Sequence, residues 1–173
     1  MLLKCVTLVT AALSALQVQA AISREDFVKG IHDVSSREHD AFTAVFQVTA
    51  ESGQSVGPGI VAKINAVTSL TDIYVQTLHV DPPKWSDDDQ FQANTAWNTL
   101  TLQEVSLFDE LVSKRQDLSA SKVAIKKSLQ QLEGINNSMF SILNRVLPSR
   151  KNALPAEKAL LEKNTQKALK AYK

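Results

Sequence analysis

The chain is poor in the residues that fix a fold or a chemistry by themselves. One cysteine in 173 residues leaves no internal disulfide framework and no cysteine-based zinc site. Five glycines, five prolines and 6% aromatics argue against a β-rich fold with its many tight turns. Three histidines, His32, His39 and His79, form no HExxH motif, and their spacing reads as surface placement rather than metal ligation. Charge of one sign is not in excess. With 19 basic against 18 acidic residues the net is +1, which gives no electrostatic footprint for nucleic acid or an anionic membrane. A membrane-spanning helix needs roughly 20 consecutive apolar residues, and no run is that long.

An uncharged stretch, Cys5 to Val18, reads instead as the apolar region of a secretory leader. Lys4 precedes it, and Val18-Gln19-Ala20 places small residues where a signal peptidase cutting after Ala20 requires them. The expectation is a signal peptide over 1–20 and a single domain over 21–173, secreted and retained in a cell wall or released. The cut removes Lys4 and Cys5, so the mature chain is neutral and cysteine-free. Its stability must then come from its core. About 150 residues can bury about 68–70% of the unfolded surface, enough for one.

What is present is helical periodicity. Breakers cluster at Gly53 to Gly59, read as a flexible loop, at Asp81-Pro82-Pro83, at the softer joint Leu118 to Ser121, and at Pro148 to Pro155. Between them apolar residues recur three and four apart. The first stretch opens at Ser23, with Asp26 completing an acidic capping box, and carries Phe27, Ile31, Val34, Phe42 and Val45, with Ser35-Ser36 as a point of bending. The second spans 59–80. The third follows Ser86 and the acids Asp87-Asp88-Asp89, which suit a helix N-terminus, and runs to Asp117. The fourth, 122–147, places Ile125, Leu129, Leu132, Ile135, Met139, Ile142, Leu143 and Val146 on one face. The fifth starts near Pro155 and ends in lysines. Short joints between helices of this length predict an all-α, antiparallel helical bundle of four to five amphipathic helices.

No catalytic constellation emerges. Asp87-Asp88-Asp89 lacks the alternation and the glycine of a calcium loop. No GxSxG elbow is present, and GQSVGPG fits neither a P-loop nor a dinucleotide fingerprint. The chain reads as a non-enzyme without cofactor or metal.

More telling are polar residues within apolar stripes, Asn136 among Leu129, Leu132 and Met139, and Glu104 among Trp97, Leu100, Phe108 and Leu111. An unpaired buried amide costs roughly 1–3 kcal/mol and a carboxylate more. Two readings stay open. One makes them the polar end of an internal cavity. The other, more ordinary, takes a bend near Thr99-Leu100-Thr101 and a routine buried hydrogen bond for Asn136. Asn136-Asn137-Ser138 is also a glycosylation sequon, but a core-facing Asn136 is not a place for a glycan. The apolar arc of the fourth helix covers roughly 160°, wider than the ≳100° a surface helix needs. The surplus could line a guest site. Burying 16 methylene-sized carbons gains about 12 kcal/mol gross, against association costs of about 4–15 kcal/mol.

The segments LFDELVSKRQDL, QQLEGINNSMFSILNRVLP and the terminal ALKAYK, with PGIVAKINAVTSLTDIYVQTL earlier, resemble the fungal hydrophobic surface-binding protein A family, which includes cell-wall galactomannoproteins. The chain is less alanine-rich and, in its first half, more aromatic and charged. The resemblance implies a secreted or wall-associated helical bundle that binds fatty acids or hydrophobic surfaces, in some members beside a secreted hydrolase. It supplies no catalytic residues. Stripe positions are therefore the candidates for ligand contact: Leu100, Phe108, Leu111, Leu132, Ile135, Asn136, Met139 and Leu143. The alternative is a secreted protein-interaction module, an effector or inhibitor, with a solid helical core.

Overall fold

Helix α1 begins where its cap dictates: the Ser23 hydroxyl accepts a hydrogen bond from the Asp26 amide, and the helix runs Arg24–Phe46. In this computed structural model, which describes residues 21–80 and 83–173, four more helices follow: α2 Gly53–Val80, α3 Asp87–Ser113, α4 Lys122–Val146 and α5 Leu154–Ala171. Short 3₁₀ turns at Ser119–Ser121 and Pro148–Arg150 make the last two joints. Ser86 caps α3 as Ser23 caps α1, accepting from the Asp89 amide. The expected leader, 1–20, and the residues Asp81 and Pro82 lie outside the described residues.

Both α1 at Ser35-Ser36 and α3 at Thr99-Leu100-Thr101 are continuous helix. One local expectation is corrected. Gly53 to Gly59 is not a flexible loop but the opening two turns of α2. The chain turns just before it, where Thr49 and Ser52 exchange side-chain-to-amide hydrogen bonds at 3.0 and 3.3 Å. The glycines serve packing. A Cβ on Gly53 would lie 2.0 Å from the Asp117 carbonyl oxygen, and one on Gly57 2.1 Å from Ser121 Oγ. No described glycine has a positive φ, so their freedom to turn is not what is used.

Consecutive helices run antiparallel, as in α1 against α2, where Gly30 meets the Tyr74 ring, and in α4 against α5, where Gln166 donates to Glu133. The most extensive packing, however, joins helices two apart in the chain, which run parallel. Arg24 pairs with Asp89 at one end of α1 and α3, and Lys114 donates to the Val48 carbonyl at the other. Along α3 and α5, Asn94 donates to Glu157, Lys167 pairs with Asp109, and the Tyr172 hydroxyl donates to the Leu111 carbonyl, one of those the last turn of α3 leaves unpaired. The chain is thus an all-α bundle around one apolar core, drawn from all five helices and the joints Leu118 and Leu147. No helix of the described residues is long and apolar enough to cross a membrane.

Candidate functional site

Among the polar side chains buried in this core, two are carboxyls and one is an amide bonded to one of them. Glu38 of α1 is 1% exposed, Glu104 of α3 2%, and Asn136 of α4 5%. Helical register puts them there. The buried stripe of α1 is Phe27, Ile31, Val34, Glu38, Ala41 and Val45, alternating four and three residues apart. The stripe therefore runs through Ala41 rather than the expected Phe42, and this phase turns Glu38 inward. Phe42 is only partly buried. On α3 the stripe Trp97, Leu100, Thr101, Glu104, Leu107, Phe108 and Leu111 carries Glu104 inward in the same way.

Asn136 Nδ2 donates to Glu104 Oε1 at 2.5 Å, so two residues singled out as polar intruders satisfy one another across α3 and α4. Glu38 has no such partner. Both of its carboxyl oxygens are buried and unbonded, as are Trp97 Nε1 and Thr101 Oγ1 on α3. Burial pushes the Glu38 carboxyl well above the usual carboxylate range, and the neighbouring Glu104 raises it further. Burial also pushes Glu104 up, to about 8, against the lowering effect of the Asn136 hydrogen bond. Both carboxyls therefore keep their protons to higher pH than a free carboxyl does, and a protonated carboxyl carries an O–H able to donate.

Beside Glu38 is a cavity of about 220 Å³ between α1 and α3, lined by Glu38, His39, Phe42, Gln103 and Ser106. The Ser35 hydroxyl donates to Gln103 Oε1 next to it. The cavity surface is mainly apolar. It exceeds the ~150 Å³ cavity that holds a benzene and falls short of the ~300 Å³ where most small-molecule pockets begin. Phe42 stacks on Phe46, with centroids 6.1 Å apart, and Phe46 is 62% exposed, so the aromatic wall continues out of the cavity along α1.

Of the stripe positions nominated for ligand contact, Leu100, Phe108, Leu111, Leu132, Met139 and Leu143 are packed in the core. Asn136 joins them through Glu104. Ile135, partly buried against the core, also borders an open cleft of about 570 Å³ between α2 and α4, with Asn65, Thr68, Asp72, Gln131 and Ser138. Glu38 was missed. The four–three spacing of Phe27, Ile31, Val34, Ala41 and Val45 was the signal that could have found it. His32, His39 and His79 are exposed.

Chemically, the arrangement is a pair of buried carboxyls in an apolar interior, and of the two only Glu38 belongs to the cavity lining. Among the described residues no group of three or more His, Cys, Asp or Glu could hold a metal ion.

No family model matches the sequence, and no curated protein matches it. The fold does have a counterpart among solved structures: the crystal structure of Afmp4p in complex with palmitic acid, with a TM-score of 0.67, at 11% sequence identity, over 87% of this chain and 100% of that one.

Proposed function

We propose that this chain is a non-enzymatic binder of fatty acids or similar apolar ligands, held within or along its helical bundle. The observation that carries this reading is the buried, unpaired carboxyl of Glu38, a residue that lines an apolar cavity between α1 and α3. A buried polar group without a partner costs roughly 1–3 kcal/mol, and a guest that satisfies it recovers that cost. The likeness to Afmp4p supports the reading, since that bundle was crystallised with palmitic acid. Kinship with the hydrophobic surface-binding protein A family belongs to the same proposal. So do a cleaved leader over 1–20, a single mature domain over 21–173, residence outside the cell or in its wall, attachment to hydrophobic surfaces, and service to a secreted hydrolase. Leu100, Phe108, Leu111, Leu132, Ile135, Asn136, Met139 and Leu143 are proposed to meet the alkyl chain where the helices part to admit it.

Native mass spectrometry before and after organic extraction, followed by titration with palmitic acid, tests it. Co-purifying fatty acid, or saturable uptake after extraction, is the expected result. A bundle that takes up neither palmitic acid nor an apolar fluorescent probe overturns it. A second reading, the protein-interaction module with a solid core, draws on the exposed Ile73, Leu102 and Val123. It requires those side chains to form one continuous patch.

A further inference from the structure

We infer that Glu38 receives the carboxyl end of a long-chain carboxylic acid entering between α1 and α3, with the alkyl chain lying along Phe42 and Phe46. The inference rests on the binder reading and names the ligand's head-group site. Both Glu38 oxygens lack partners and are sealed from solvent, so a guest reaches them as the α1–α3 seam parts beside the cavity. A protonated carboxyl offers one donor and one acceptor side by side. Another carboxyl group presents the same two functions at the same spacing, so one guest satisfies both oxygens at once. A simple hydrocarbon satisfies neither. The cavity is large enough for the head group and a few methylenes. The remainder of the chain needs an apolar track, and the stacked Phe42 and exposed Phe46 form one leading out of the cavity.

Such a pair holds together only while at least one proton is shared between the two carboxyls. Uptake is therefore favoured by acid and lost as pH rises through the raised Glu38 value. The titratable groups beside Glu38 are Glu104 from α3 and His39 on α1 at the cavity wall. From α2 the buried polar residue is Thr71, its hydroxyl bonded to the Val67 carbonyl, and from α4 they are Ser128 and Asn136; none of these titrates.

The test is titration of the extracted protein with dodecanoic acid below its aggregation threshold, across about pH 5 to about pH 9, a span that starts above the ordinary carboxylate range and brackets the Glu104 value. In the wild type the dissociation constant should rise roughly tenfold per pH unit once Glu38 begins to ionise. Glu38→Gln keeps a neutral donor and acceptor, so it should bind with a shallower pH dependence. Glu38→Leu should lose the acid while still taking up an apolar fluorescent probe. His39→Asn, at the cavity wall, separates the two sources of pH dependence: a slope that vanishes in it overturns the assignment to Glu38. If dodecanoic acid binds but all three Glu38 forms share one affinity and one slope, the inference fails while the binder reading stands. Glu38 would then pair with Glu104 or with water alone. If the wild type binds no dodecanoic acid at any pH, the binder reading fails too. Should the Glu38 variants not fold, Phe46→Ser decides, because Phe46 is 62% exposed and outside the core. It should weaken dodecanoic acid several-fold more than hexanoic acid, and equal effects on both would overturn the placement of the chain.

Discussion

The two most extensive seams of the bundle, α1 against α3 and α2 against α4, each join parallel helices two apart in the chain. They are built on opposite principles. The α2–α4 seam closes at its start by removing side chains: Gly53 and Gly57 let α2 come up against Asp117 and Ser121. Farther along it opens to solvent between polar residues such as Asn65, Asp72 and Gln131. In the α1–α3 seam a long acidic side chain is kept inside, and a small apolar cavity remains beside it. The lesson is that space in a helical bundle is informative when a costly group borders it. The larger cleft, about 570 Å³, is open and mixed in polarity and borders one unbonded buried oxygen, Asn65 Oδ1, whereas the 220 Å³ cavity is mainly apolar and is lined by Glu38, both of whose carboxyl oxygens are unbonded.

The largest expected effect separates the seams by pH. The Glu104 carboxyl has a folded value of about 8 against 4.5 for the free group. A carboxyl raised on folding contributes its full stability below the unfolded value, and that contribution drains away as pH rises through the folded one. Thermal melts should therefore fall between about pH 4.5 and about pH 8, by several kcal/mol at most, and Glu38 acts in the same direction. Glu104→Gln should flatten the profile. A wild type whose melting point climbs across that interval would mean that the α1–α3 interior is wet.

Next comes the glycine end of the other seam. Gly53→Ala places a methyl 2.0 Å from a backbone oxygen that cannot rotate away, and overpacking of this kind costs about 1–3 kcal/mol. Chemical denaturation should show that loss at every pH, whereas the Glu104 effect depends on pH. The smallest effect has the opposite sign. Gly134 lies inside α4 with nothing within 4 Å of its missing Cβ, so Gly134→Ala should stabilise by about 0.5–1 kcal/mol. If Gly53→Ala and Gly134→Ala behave alike, close approach is not what the α2 glycines provide.

The fold was legible because helical signals are local. Ser23 and Ser86 carry the cap chemistry, and α4 carries an uninterrupted apolar face, so these elements needed no tertiary context. Gly53 to Gly59 misled for a physical reason. Glycine is compatible both with a turn and with close helix approach, and only the position of Asp117 and Ser121 selects between them. The site was half legible. Asn136 and Glu104 stood out as polar within apolar stripes, but their mutual bond spans 32 residues of sequence and no local pattern announces it. Glu38 was hidden by one residue of phase, Phe42 having been taken where Ala41 belongs. A bulky aromatic outweighs an alanine in any reading of hydrophobic periodicity, although the smaller residue fits the closer contact.

Composition and periodicity determined by themselves that this chain is helical, that its helices are amphipathic, and that apolar burial, not disulfides, holds them. Which helices became partners, and which carboxyl was left unpaired beside an apolar space, the packing decided. Periodicity is set by neighbours three and four residues away, whereas a buried acid finds or lacks its partner across helices that only the whole assembled core brings within reach.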